Sequence, residues 1–309
     1  MMSQVTPASE PHVCTEHISA RYEDLDSWPV TEMVAAMLEG QLAAVAAVGQ
    51  AVEAIAAAVE AAVPALQRSG RIVYVGAGTS GRIAVQDGAE LTPTFDWPSE
   101  RLVFLLAGGM SALTQSIEGA EDKADQGAQA VRDANLTSND VVVGVAASGR
   151  TPYTVGALRA ANTFGAVTIA VAGNPGSPLL ENAKYPILVE TGAEVIAGST
   201  RMKAGTAQKV VLNLLSTALM IKMGRVYGGL MVHMRIRNAK LKRRGEGIIA
   251  RILKCSEEQA AEFLEAAGGD VKTAVLLGFG LSGDQAATAL ERFQGNLRAA
   301  INSIGHHDG

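Results

Sequence analysis

Between residues 32 and 67 the chain is almost unbroken alanine, valine and leucine, with charge only at Glu32, Glu39, Glu53 and Glu60. A run of that length reads as helix. With so little polar surface it must be buried on more than one side, over a sheet or against a second subunit. Thr31 stands where it can cap the start, and Gly40 and Gly49 suggest one or two breaks. The period then changes. Short runs at 71–75, 102–107, 140–145, 166–172 and 186–190, most of them rich in β-branched residues, read as strands. Helical pattern follows from Ser80 to Leu91 with Pro93 as a stop, around residues 111–117, and from Pro152 to about Phe164. Strands alternating with helices imply right-handed crossovers and a parallel sheet covered on both faces: an α/β three-layer sandwich.

The two ends of the chain depart from that pattern. Residues 1–30 are mixed and polar, with Pro7, Pro11 and Pro29, and read as an N-terminal arm, either loose or laid against something else. Past Gly245 the composition changes. Ser256 and Gln259 have capping-box spacing, and three short amphipathic helices follow, broken at Gly268-Gly269 and Gly283. Residues 31–245 therefore read as the α/β domain and 246–309 as a small helical domain suited to docking or dimer stabilisation. The uncharged span 160–180 raises a membrane question, but Asn174-Pro175-Gly176 cuts it, so no transmembrane helix is expected.

Inside the α/β pattern one stretch occurs twice. Val73-Tyr-Val-Gly-Ala-Gly-Thr-Ser-Gly-Arg82 returns as Val141-Val-Val-Gly-Val-Ala-Ala-Ser-Gly-Arg150. Each copy reads as strand, small-residue loop and helix, and such a loop offers backbone N–H groups and a positive helix end to an anion. The first copy superficially fits the G-x-G-x-x-G dinucleotide pattern, which is weak evidence alone. Thr79 and Ser80 fill its variable positions, and a second Ser-Gly-Arg loop follows, which suits a small phosphate better. Both loops leave carboxyl ends of strands, where ligands of such sheets bind, so they should converge on one ligand. A third dense stretch, residues 192–209, carries Glu194, Ser199, Thr200, Lys203 and Lys209. Ser199 and Thr200 there could cap the following helix, or cap it and also touch the ligand.

Composition narrows the partners. A net charge of −5 gives no support for nucleic-acid binding, and Lys240-Leu-Lys-Arg-Arg244 reads as a solvated helix face. Cys14 and Cys255 are far apart and fit no metal spacing. His12, His17, His233, His306 and His307 are scattered, so no metal site assembles from local sequence. A reduced cytoplasmic compartment is the simplest expectation, since no secretory signal pattern opens the chain.

Five ordered motifs carry a family resemblance. They are G-A-G-T-S-G-R at 76–82, Glu90 with Thr92-Pro-Thr-Phe95, E-G-A-E-D at 118–122, A-A-S-G-R-T-P-Y at 146–153, and G-A-E-V-I-A-G-S-T-R-M-K-A-G-T-A-Q-K at 192–209. Together, from about residue 30 onward, the chain resembles the N-acetylmuramic acid 6-phosphate etherases of the sugar isomerase (SIS) superfamily. The last motif also resembles glucokinase regulatory proteins, which bind phosphosugars without catalysis. The resemblance implies an SIS fold with a small C-terminal UBA-like helical domain, a cytoplasmic homodimer, and a phosphosugar ligand with neither metal nor organic cofactor. It implies Glu90 and Glu121 as the two catalytic carboxylates, and Thr79, Ser80, Ser148, Thr151, Ser199 and Thr200 as phosphosugar contacts. The implied reaction is lactyl-ether cleavage. Two other readings use the same pocket: an aldose–ketose phosphosugar isomerase, and a regulator that binds without turnover.

Overall fold

The computed structural model describes residues 14–234, 236 and 238–304, so Pro7, Pro11, His12, His306 and His307 lie outside the described residues. Two helices come first, α1 (Val30–Val48) and α2 (Val52–Gln67). Then β1 (Ile72–Gly76), α3 (Gly78–Phe95), β2 (Leu102–Leu106), α4 (Ala124–Asp133), β3 (Val141–Val145) and α5 (Pro152–Thr163) follow. The domain closes with β4 (Val167–Ala172), α6 (Pro178–Glu181), β5 (Tyr185–Leu188) and α7 (Lys203–Lys222). All five strands are parallel, in the order β2-β1-β3-β4-β5.

The alternation of side chains along each strand divides the core between two layers. Ile72, Tyr74, Val141, Val143, Ile169 and Val171 meet α1, α2, α3 and α7 on one face. Val73, Val75, Val142, Ala170 and Ala172 meet α4, α5 and α6 on the other. The three-layer α/β sandwich expected from the alternation is thus the architecture found. A third core draws Val232 and Met234 together with Ile248, Ile249 and apolar residues as far as Ala300. It is built from α8 (Ala239–Leu253), α9 (Glu257–Ala266), α10 (Val271–Gly278), α11 (Gly283–Arg292) and α12 (Leu297–Ile304). The capping box of Ser256 and Gln259 forms at α9, and α8 runs through residue 245 without interruption.

Several local expectations are corrected. Thr31 does not cap α1; Pro29 occupies that position, and no side chain caps the helix. Gly40 continues α1, while Gly49 opens a single 3-10 turn, Gly49–Ala51. Pro93 does not stop α3, which runs to Phe95. The missing N–H of Pro93 would have served the carbonyl of Ala89, an exposed residue whose carbonyl water can serve instead. The helix expected around 111–117 is only a 3-10 turn, Met110–Leu113. The expected elements leave 118–139 without a helix, yet α4 forms there and packs closely on α5. A Cβ on Gly127 would lie 2.0 Å from the Tyr153 carbonyl oxygen, and one on Gly156 would lie 2.3 Å from that of Ala124.

Val30–Gln67 and Lys203–Lys222 are both long and apolar enough to cross a membrane. Both stretches contribute to the core beneath the sheet instead. Helix α1 has two apolar faces. Ala36, Gly40, Ala44 and Val48 recur every four residues and are buried. On the opposite side Val30, Val34, Leu38 and Leu42 recur at the same spacing and are exposed.

One ion pair staples the starts of the two central strands. Asp140 accepts from the Arg71 backbone N–H at 2.8 Å, from its Nε at 3.1 Å and Nη2 at 2.8 Å, and from the Thr137 N–H at 2.8 Å. Burial alone would raise this carboxyl. The hydrogen bonds and charge of Arg71, with the Thr137 N–H, outweigh it and hold Asp140 below the usual carboxylate range. A folded-state value below the unfolded one gives stability that is complete above about pH 4 and is lost as pH falls through the folded value. Asp140→Asn is therefore expected to cost about 1–3 kcal/mol near neutrality and to flatten the acid limb of the stability profile; urea unfolding across pH measures both.

Candidate active site

Strands β1 and β3 are hydrogen-bonded neighbours, with Gly76 opposite Val145, so the two copies of the repeated loop emerge side by side. The chain turns outward here, β1 leading to β2 on one side and β3 to β4 on the other. Helix α3 starts at Gly78 and α5 at Pro152, and no side chain caps either start. The first N–H groups of a helix have no partner within it, so the start of α3 suits an anion; at α5 Pro152 has no N–H and Tyr153 gives its own to the Glu121 carbonyl, so that side offers the hydroxyls of its loop instead.

A cleft of about 350 Å³ lies over these starts, lined by Ala77–Ser80, Ala147, Ser148, Arg150–Pro152, Glu121, Asp122, Thr200 and Glu16. Of the expected ligand contacts, Thr79, Ser80, Ser148, Thr151 and Thr200 come together here. The Ser148 hydroxyl accepts from the Arg150 N–H at 3.2 Å, which closes the second loop, and its own proton remains available to a ligand. Glu121 is brought in by its backbone: its carbonyl accepts from the Tyr153 N–H at 2.9 Å, tying the acidic turn to the start of α5. A neighbouring hollow of about 270 Å³ shares Ala77, Gly78 and Glu121.

Two expected residues are elsewhere. Ser199 does not line the cleft. Neither it nor Thr200 caps α7: both oxygens of the buried Glu194 do, accepting from the Lys203 and Ala204 N–H groups at 2.9 Å each. Beside them Lys203 gives its ammonium to the Ala193 carbonyl at 2.9 Å. Burial lowers Lys203 below the ordinary lysine value, against the opposing pull of Glu194. Glu90 is exposed and outside the cleft. From Gly78, at the cleft, to Glu90 the helix advances roughly 18 Å at about 1.5 Å per residue.

One turn before Glu90, Asp87 is buried and anchors α3. It accepts from the Tyr74 hydroxyl at 2.9 Å, from Asn213 Nδ2 at 2.8 Å and from the Ser216 hydroxyl at 3.2 Å. Burial, with the Asp87 charge adding to it, raises the Tyr74 phenol well above its ordinary value.

Sequence reasoning passed over three lining residues: Glu16, Asp122 and Arg150. Arg150 had a visible signal, since Arg82 is its counterpart in the repeat. Arg82 is committed to the Ala112 and Gln115 carbonyls at 2.9 and 3.0 Å. The Arg150 guanidinium has no hydrogen bond or ion pair among the described residues, and its Nε is buried without a partner. It is the one cation among three acids on the cleft wall. Among the described residues no group of three or more His, Cys, Asp and Glu side chains could hold a metal ion.

A parallel sheet with paired hydroxyl-bearing loops at its switch point defines an SIS-domain protein. Residues 54–162 match the glucokinase regulatory protein N-terminal SIS domain and residues 120–218 the SIS domain. A phosphoheptose isomerase structure from Neisseria gonorrhoeae is similar at 20% identity, covering 63% of this chain and 98% of that one, with a TM-score of 0.48. Over 288 residues the chain is 48% identical to an N-acetylmuramic acid 6-phosphate etherase of Deinococcus radiodurans, covering 93% of this chain and 94% of the relative. An etherase of the same name from Geobacillus thermodenitrificans is 42% identical over 291 residues, 94% of this chain and 99% of that one. The chain belongs to the N-acetylmuramic acid 6-phosphate etherase family.

Glu194→Ala strips the cap from α7 and leaves two buried N–H groups unmet, an expected loss of about 1–3 kcal/mol in urea unfolding. Ser199→Ala should stay within about 0.5 kcal/mol of the parent.

Proposed function

We propose that this protein is a lyase that cleaves the D-lactyl ether of N-acetylmuramic acid 6-phosphate, giving N-acetylglucosamine 6-phosphate and D-lactate. The observation that carries this reading is the convergence of both repeated loops and Glu121 on one cleft. The phosphate sits at the starts of α3 and α5, held by Thr79, Ser80, Ser148 and Thr151, with Thr200 over it. Ser199, outside the cleft wall, keeps a role only if its loop shifts on binding.

An ether oxygen on C3 leaves poorly. Once the sugar ring opens, the C1 aldehyde acidifies the C2 proton, and elimination becomes accessible. Glu121 takes that proton, the C3–O bond breaks with its electrons on lactate, and Glu90 protonates the departing oxygen. Water then adds at C3 of the unsaturated aldehyde, losing its proton to Glu90, while C2 regains a proton from Glu121. General acid and base groups of this kind contribute about 10²- to 10⁴-fold each.

Glu90 can take part only across a subunit boundary, and a homodimer is part of the proposal. The exposed stripe of Val30, Val34, Leu38 and Leu42 supports it, as do the exposed Leu214 and Ile221 on α7. Helix α3 packs on α7, so Glu90 belongs to the same helical layer. We place the enzyme in the cytoplasm, because a phosphorylated sugar is too polar to leave the cell unaided. The same proposal divides the chain into an arm, the SIS domain and a small UBA-like helical domain; the boundary expected at 245/246 falls inside α8, so the helical domain takes in all of α8 together with Val232 and Met234.

Incubation with N-acetylmuramic acid 6-phosphate should release free D-lactate; binding without release would favour a regulator, and conversion to a ketose phosphate an isomerase. Glu90→Gln and Glu121→Gln should each lower turnover by about 10²-fold or more. Unfolding and refolding the two inactive variants together should restore up to about a quarter of parental activity, because a two-fold heterodimer regains one intact site. No recovery would exclude sharing between subunits.

A further inference from the structure

We infer that Glu16, carried by the N-terminal arm, is a substrate-binding residue that holds a hydroxyl group of the sugar ring. The inference rests on the phosphosugar reading of the cleft and assigns the arm a part in it.

The arm is fastened where it crosses the cleft. The Thr15 carbonyl accepts from the Gly198 N–H at 3.0 Å, and Thr15 is 1% exposed. Gly198 has φ of +76°, a conformation side chains disfavour, and a Cβ there would come within 2.9 Å of Glu16 Oε2. The loop thus passes directly beneath the Glu16 carboxylate, and two residues on, Thr200 joins Glu16 on the cleft wall. That carboxylate has no hydrogen bond or ion pair among the described residues.

Charge decides what Glu16 can meet. A carboxylate repels a phosphate and accepts hydrogen bonds from hydroxyl groups, with room for more than one. The uncapped start of α3 and the hydroxyl-bearing loop before α5 take the anion, so Glu16 takes the neutral, hydroxyl-bearing part of the ligand. An arm that served only to cover the sheet would not need an ionised, unpaired side chain over the site.

The test is calorimetric titration of the full chain with N-acetylglucosamine 6-phosphate and, separately, with inorganic phosphate. Glu16→Gln and Glu16→Ala should weaken the sugar phosphate by about tenfold to a hundredfold, the loss expected for one hydrogen bond to a charged acceptor. Inorganic phosphate should bind as well as before, or better, since a negative charge has been removed. Thermal unfolding should be unchanged, because the side chain is exposed. Equal sugar-phosphate affinity in parent and Glu16→Gln would overturn the inference and leave the phosphosugar reading standing. Equal losses for both ligands would assign Glu16 a structural role and overturn it too. A parent protein that binds no sugar phosphate would overturn both.

Discussion

The site depends on an obligation of helix geometry: the first N–H groups of an α-helix have nothing within the helix to bond to. In this fold two such starts, those of α3 and α5, lie at the ends of adjacent strands. Neighbouring strands are about 4.8 Å apart, so the N–H groups at the start of α3 and the loop that leads into α5 reach the same small volume. The start of α3 has no side-chain cap, so its N–H groups are open to water or to an anion. The hydroxyls of Thr79, Ser80, Ser148 and Thr151 add donors around the same point, and the repeated sequence is the chain's way of building this arrangement twice.

Around that point the chain spends its buried polar groups on holding backbone still. Asp140 with Arg71 ties the starts of β1 and β3; Asp87 fixes α3 to β1 and α7 through three neutral donors; Glu194 caps α7 from a separate loop. None of these carboxylates lines the cleft. They set the places of Ser80, Thr200 and the outward face of α3, which is how a core interaction reaches a surface site without touching a ligand.

Much of this was legible in one dimension. The continuous small and β-branched runs of β1, β3 and β4 located the strands to within a residue or so, since a strand covered on both faces is apolar throughout. The repeated Ser-Gly-Arg loop marked the cleft for the same reason, because small residues and hydroxyls after a strand have a narrow set of uses. What failed to show was whatever depends on contact between distant segments. Helices α4 and α5 approach closely because Gly127 on α4 faces the Tyr153 carbonyl and Gly156 on α5 faces that of Ala124. Ser199 and Thr200 have the residue types of caps, but Glu194, five and six residues earlier in the chain, caps α7 instead. Glu16 sat in a polar arm with no local pattern to distinguish it.

By itself the sequence determined the alternation of strand and helix, the family, and which loops carry the hydroxyls that line the cleft, because these follow from periodicity and from side-chain chemistry at short range. Only the tertiary structure decided strand order, which sets the expected meeting of two loops sixty-eight residues apart on hydrogen-bonded neighbours. It also decided that Glu121 lies in the cleft and that an N-terminal carboxylate lies over the opening. Those are matters of which backbone passes beside which, and no local preference along the chain encodes them.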